Sequence, residues 1–375
     1  MKYVDEFRDG DKARQIAELI QSEVRPDHQY RLMEFCGGHT HAIFRFGLVD
    51  LMPENIQFIH GPGCPVCVLP AGRIEAVIKL LENSDNLILC TYADLMRVPA
   101  GKRDSLHKAK ARGADIRMIY SSTDALNIAR NNPGQQVFFF AIGFETTTPP
   151  TAAAIKIAHH EKLKNFSVFC NHVETPPVMA HILSSGETQL DGILGPSHVS
   201  TIIGSHAYAE CCKQYSTPFV IAGFEPLDIL QSTLMLVRQI NEGRFGVENQ
   251  YCRAVKTDGN KKAQTLMSEI FKQRPLFEWR GLGELANSAI QIKKRFSDFD
   301  AEKRFAMESI EVADIKGCIC PAVLRGVSNP DECKLFGTVC TPEDPKGACM
   351  VSSEGACAAY YSYGRYRTEV EVVNS

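Results

Sequence analysis

In the stretch Val137-Phe-Phe-Phe-Ala-Ile-Gly-Phe-Glu-Thr-Thr-Thr148, six consecutive apolar residues run into a glycine and then into a hydroxyl-rich turn. An apolar run without alternation predicts a strand buried on both faces, as in a parallel sheet covered by helices. Similar short runs occur at Leu32–Phe35, Ile56–Ile59, Leu87–Cys90, Ile116–Tyr120, Phe166–Phe169, Gly192–Leu194 and Phe219–Ala222. Between them, Ile74, Val77, Ile78 and Leu81 keep the spacing of an amphipathic helix, and Leu227, Leu230, Leu234 and Val237 nearly do so. This βαβα rhythm predicts an α/β fold with parallel sheets.

A faint repeat divides the α/β region. Phe35-Cys36 with His39 follows one strand, and Phe169-Cys170 with His172 follows another. Gly61-Pro62 lies 25 positions after Cys36, and Gly195-Pro196 lies 25 positions after Cys170. Gly143-Phe144-Glu145 and Gly223-Phe224-Glu225 each end a strand. The expectation is a helical segment over 1–30, two related parallel-sheet α/β domains over 31–155 and 156–246, and a smaller, mostly helical C-terminal domain over 247–375.

With 375 residues, 44% hydrophobic and 23% charged, the chain has the composition of a soluble globular protein of two or three domains. A net charge of −3 argues against broad nucleic-acid binding, which needs a basic face. The start, Met1-Lys2-Tyr3-Val4-Asp5-Glu6, lacks the apolar core of a secretory signal. The longest apolar stretch, Val137 to Ile142, is far shorter than the roughly 20 residues of a membrane span. A cytoplasmic location is expected. Fourteen cysteines are many for a reducing compartment and point to metal or redox chemistry, and six of them lie from Cys318 onward.

Cys318, Cys333, Cys340 and Cys357 form a C-x14-C-x6-C-x16-C array. Four thiolates on loops suit a [4Fe–4S] cluster. Zinc also accepts four cysteines, but its sites usually show C-x2-C knuckles, and this array has none. Cys320 and Cys349 are left over, either as a redox pair beside the cluster or as two inert buried cysteines.

Three further motifs follow strands. Cys36-Gly-Gly-His-Thr-His41 opens an apparent helix, where exposed N–H groups favour a thiolate. Cys36 then suits either a nucleophile or a metal thiolate, with His39 or His41 beside it. Gly61-Pro-Gly-Cys-Pro-Val-Cys67 holds the only C-x-x-C of the chain, and redox is the better reading of Cys64 and Cys67. Glu145, and His198 within Ser197-His-Val-Ser200, sit where strands end, the side on which ligands collect in parallel sheets. Helix capping explains Glu145 almost as well. No phosphate-loop or nucleophile-elbow motif occurs.

Taken together, Cys36-Gly-Gly-His-Thr-His41, Gly61-Pro-Gly-Cys-Pro-Val-Cys67 with Pro70, Gly143-Phe-Glu-Thr-Thr147, Pro196-Ser-His-Val-Ser200, the cysteine array and Met350-Val-Ser-Ser-Glu-Gly-Ala-Cys357 resemble the HypD family of nickel–iron hydrogenase maturation factors. The resemblance implies two similar α/β domains and a third carrying a [4Fe–4S] cluster on Cys318, Cys333, Cys340 and Cys357. It implies a complex with the chaperone HypC, in which Cys36 and the chaperone's N-terminal cysteine hold a transient iron. HypE would deliver cyanide to that iron, and HypC would carry the Fe(CN)2CO unit to the hydrogenase large subunit. His39 would be ligand or proton donor, Glu145 and His198 would line the cleft, and Cys64/Cys67 with Cys320/Cys349 would relay electrons from the cluster. Such a chain is a redox scaffold rather than a conventional turnover enzyme. The alternative is an iron–sulfur disulfide reductase acting on a protein dithiol, which leaves Cys36-Gly-Gly-His without a task.

Overall fold

The computed structural model describes residues 4–364. Its strands are β1 (Tyr30–Glu34), β2 (Ile56–His60), β3 (Leu87–Thr91), β4 (Ile116–Met118), β5 (Gln136–Gly143), β6 (Phe166–His172), β7 (Gly192–Pro196), β8 (Phe219–Ala222), β9 (Val247–Asn249), β10 (Phe271–Trp279) and β11 (Gly283–Ile292). The first nine build two wholly parallel sheets, ordered β2-β1-β7-β8-β9 and β4-β3-β5-β6. The molecule is α/β, as the apolar runs require. Phe138, Phe139 and Phe140 of β5 are all fully buried, because helices cover both faces of their sheet.

The two sheets share one winding. In each, the first two strands in sequence are neighbours and the later pair extends the sheet from the other side of the first. Thus β1, β2, β7 and β8 correspond in order to β3, β4, β5 and β6. The second sheet is inserted whole between β2 and β7. This nesting corrects the consecutive domains expected at 31–155 and 156–246. Strand β6, beyond that boundary, pairs with β5 from Val137–Phe166 to Gly143–His172, and β1 pairs with β7 at Met33–Ile193, residues 160 positions apart. The motif pairs taken as a repeat are not equivalent either: Cys36 follows β1, whereas Cys170 lies in β6, the counterpart of β8.

The C-terminal region also departs from expectation. It is not mostly helical, because β10 and β11 form an antiparallel hairpin. Polar residues Lys272, Gln273 and Arg274 obscure its alternation, and the register shifts at Pro275, which has no N–H to give to a ladder. The hairpin packs on the end of β6, where the Glu174 N–H donates to the Ser288 carbonyl at 2.9 Å. Beyond it, residues 317–364 are short helical turns joined by loops. No helix among the described residues is long and apolar enough to cross a membrane. Residues 365–375 of the expected C-terminal domain lie outside the described part.

Candidate metal and redox site

The carboxyl ends of the two sheets face a common cavity of about 420 Å³. Residues following β1 (Phe35, Cys36), β2 (Gly63, Pro65), β5 (Thr146, Thr147) and β7 (His198) line it, together with Tyr92 and Asp94 after β3 and Glu354 from the C-terminal region. The motifs scattered over the sequence thus meet because each follows a strand of one or the other parallel sheet.

Cys36 has extended backbone and caps the helix Gly37–Arg45. Beneath it lies the buried carboxylate of Glu34. That carboxylate accepts the Cys36 N–H at 3.2 Å, bonds the His60 Nδ1 at 2.8 Å and accepts the Thr40 hydroxyl. Two glycines let the backbone close around the thiol. A Cβ on Gly63 would stand 2.6 Å from Cys36 Cα, and one on Gly37 would run into Glu354. The helix N–H groups do not make this a low-pKa thiol. Burial, and then the Glu354 carboxylate, push Cys36 up to about 12, against the smaller help of the Gly38 and His39 N–H groups. At neutral pH Cys36 is therefore held as the protonated thiol.

His39 is fully buried and does not line the cavity. Its Nε2 meets the Ala222 carbonyl at 2.9 Å, tying the Cys36 helix to the end of β8. Burial lowers it to about 4, so the ring is neutral. Phe224 lies against both His39, with centroids 4.7 Å apart, and His198, at 4.2 Å. His198 reaches the cavity, whereas His39 stays buried against Phe224 and the Ala222 carbonyl. Glu145 is likewise behind the wall: its carboxylate accepts the Thr175 N–H at 2.7 Å and the Thr175 hydroxyl at 2.9 Å, and it is Thr175 that lines the cavity. Burial pushes Glu145 up to about 7.

Cys64 and Cys67 form a disulfide at the start of the helix Pro65–Val68, both buried. One side of this turn touches Cys36 through Gly63. On the other side the Cys67 sulfur lies 3.8 Å from the Ala348 carbonyl oxygen, one residue from Cys349. Cys349 in turn interacts with Cys320 and Cys357, and Cys318 interacts with Cys320. Contacts with Cys320 and Cys349 hold Cys357 below the usual thiol range. The Lys346 N–H donates to the Cys340 sulfur at 3.3 Å. Gly347 supplies bare backbone here, since a Cβ would lie 2.5 Å from the sulfurs of both Cys318 and Cys320. Cys333 stands at the edge, its sulfur 3.8 Å from the carbonyl of Gly317, which precedes Cys318. Soft sulfur donors, bare backbone at Gly347 and an N–H aimed at sulfur fit an iron–sulfur cluster. Among the described residues, no three His, Cys, Asp or Glu side chains are already arranged as a closed metal cage.

Sequence reasoning missed Glu34, Phe224, Asp94 and Glu354. Glu34 lies inside an apolar run, and its place two residues before Cys36 was the available signal. Asp94 carries no local signal, because it reaches the cavity only through tertiary packing, and Glu354 lies inside the Met350–Cys357 motif without any sign there that it faces Cys36.

The family model HypD, described as the hydrogenase formation hypA family, matches residues 11–364. The chain is 60% identical over 378 residues to hydrogenase maturation factor HypD of Azotobacter vinelandii, covering 100% of both chains. It is 57% identical over 373 residues to that of Cupriavidus necator, covering 98% of each. To that of Escherichia coli (strain K12) it is 44% identical over 374 residues, covering 98% of this chain and 100% of the relative. With its motifs gathered at one cavity and relatives matched from end to end, the chain belongs to the HypD family of hydrogenase maturation factors.

Proposed function

We propose that this chain is a cytoplasmic scaffold and redox protein of nickel–iron hydrogenase maturation. With the chaperone HypC it holds the iron on which the Fe(CN)2CO group is assembled. It accepts cyanide from HypE and gives the finished unit, through HypC, to the hydrogenase large subunit. The observation carrying this reading is the juxtaposition at the cavity: a partly exposed Cys36 packed against a redox turn, whose other side touches the segment of the C-terminal cysteines.

Cys36 binds the iron cargo through sulfur and releases a proton to do so. Asp94, Glu354 and His198 place polar groups around that position, while Phe35, Val66 and Phe144 keep part of the wall apolar. A [4Fe–4S] cluster, when bound, supplies reducing equivalents one electron at a time, and Cys318, Cys333, Cys340 and Cys357 are the thiolates that would hold it.

The dithiols complete the device. Attack by the Cys349 thiolate on the Cys67 sulfur breaks the Cys64–Cys67 bond and releases Cys64. Attack by Cys320 on the mixed disulfide then releases Cys67. The Cys64/Cys67 pair gains two electrons and two protons, and the Cys320/Cys349 pair loses them. The reduced turn stands beside Cys36, where attachment of ligands to iron calls for electrons.

The test is the infrared spectrum of the HypC complex purified without oxygen. Metal-bound cyanide and carbon monoxide bands are expected from the unaltered chain and not from Cys36→Ala, which also fails to support maturation. Undiminished bands in Cys36→Ala would refute the scaffold.

A further inference from the structure

The reading above gives the cluster no source of electrons, and one face of the molecule suggests one. From Arg97 to Arg112 the chain carries Arg97, Lys102, Arg103, Lys108, Lys110 and Arg112 against the single acid Asp104, in a protein whose net charge is −3. Arg97, Lys102, Arg103, Lys108 and Lys110 are all exposed. Several of these side chains line a groove of about 380 Å³, closed on its far side by Glu343, Asp344 and Lys346 of the loop after Cys340.

Three features make this groove more than a solvated charge run. Two of the three acids within it are engaged, Asp104 by Arg112 at 2.6 Å and Asp344 by Lys346, so that Arg97, Arg103 and Lys108 face the groove against Glu343. The basic segment is also tied to the cysteine region, since the Arg97 guanidinium donates to the carbonyls of Pro342 at 2.9 Å and Val351 at 2.7 Å. Finally, Lys102 and Arg103 have φ of 53° and 61°, a left-handed backbone that side-chain-bearing residues avoid and that needs surrounding structure to persist. The Lys108 ammonium, 2.5 Å from the Arg103 carbonyl, is part of that support.

The groove lies next to a sulfur. Lys346 lines it, and the Lys346 N–H is the group that donates to Cys340 at 3.3 Å. One residue therefore separates the groove from a thiolate of the expected cluster.

We infer that this basic groove is the docking surface for an acidic electron-carrier protein that reduces the iron–sulfur centre. The inference rests on the cluster reading of Cys318, Cys333, Cys340 and Cys357. Its step is a single electron transfer: the donor's centre is oxidised by one electron, the centre beside Cys340 is reduced by one, and no bond forms or breaks. Opposite charge speeds such an encounter and orients it.

The probe is flavodoxin, an acidic protein whose flavin hydroquinone gives up one electron. Its oxidised form should bind the cluster-loaded chain in calorimetry at low salt. Binding should weaken steeply as the Debye length falls from about 30 Å at 0.01 M to about 10 Å at 0.1 M salt. The double substitution Arg103→Glu with Lys108→Glu should lower the affinity by about tenfold or more. The milder Arg103→Gln, which keeps the Lys108 ammonium on the backbone carbonyl of residue 103, should give a smaller loss and guards against misfolding. Electron entry from flavodoxin hydroquinone should slow in parallel, while photoreduced deazaflavin, a small reductant, should reduce all variants equally. Binding that ignores salt and both substitutions, or no binding to the unaltered chain, overturns the docking surface. Absence of iron–sulfur absorption from the unaltered chain instead sinks the cluster reading on which it rests.

Discussion

Gly63→Ala tests the contact on which the Cys36 site depends. The added methyl carbon would stand 2.6 Å from Cys36 Cα, 2.7 Å from Cys36 N and 2.7 Å from the Phe35 carbonyl carbon. Comfortable carbon contacts begin near 3.5 Å, so one of the two turns must retreat by about 1 Å. All three obstacles are backbone atoms and cannot swing aside as a side-chain tip would. Overpacking of this kind costs about 1–3 kcal/mol. The displacement matters more than the cost, because a metal site tolerates only about 0.5 Å of error in its donors. Urea unfolding should show the loss of stability, and the infrared bands of iron-bound cyanide and carbon monoxide should fall to a small fraction. Gly134→Ala is the control: a Cβ there meets nothing within 4 Å, so stability should stay within about 0.5 kcal/mol of the starting chain. Native stability and full band intensity in Gly63→Ala would show that the Cys36 and Cys64 turns do not hold each other in place.

Cys349→Ser should leave Cys64–Cys67 oxidised under conditions that reduce it in the unaltered chain, as counted by alkylation of free thiols; equal reduction would remove Cys349 from the relay. Glu145 and Glu174 are both pushed up to about 7 by burial, from an ordinary value of 4.5. Folded carboxyls of this kind keep protons that the unfolded chain has released, so the stability they contribute is full below pH 4.5 and lost as pH rises through 7. Glu145→Gln should flatten that fall by as much as about 3 kcal/mol, and an unchanged pH profile of urea midpoints would contradict the assignment. Glu34→Ala leaves the His60 and Thr40 donors and the Cys36 N–H without their acceptor, and should cost about 2–4 kcal/mol in unfolding while also weakening the iron-ligand bands.

Strands were the most legible part of the sequence. Phe219–Ala222 was located to the residue, and the run at Val137–Ile142 fell within one residue of β5 at each end, because wholly apolar runs of this length have few other uses. Pairing was not legible. Which strand lies beside which depends on contacts between distant segments, so an insertion of one sheet into another looks in sequence like two domains in a row. Strand β10 escaped because three polar residues and Pro275 break its alternation. Cys36 and His198 meet at one cavity, with the Cys64–Cys67 turn beside it, because each follows a strand in a distinctive motif. Glu145 lies behind Thr175, and His39 is held on the Ala222 carbonyl, contacts that only packing brings about. The expected low pKa of Cys36 failed for a related reason: a helix end is visible in sequence, whereas the burial that outweighs it is not.

The central claim, that one chain joins an iron-gripping thiol to an iron–sulfur source of reducing power, is tested most directly by two spectra of one sample. Cys36→Ala, purified with HypC without oxygen, is predicted to keep the broad visible absorption of an iron–sulfur cluster while losing every cyanide and carbon monoxide band. Zinc in place of iron with no visible absorption, or bands that survive the loss of Cys36, would contradict it.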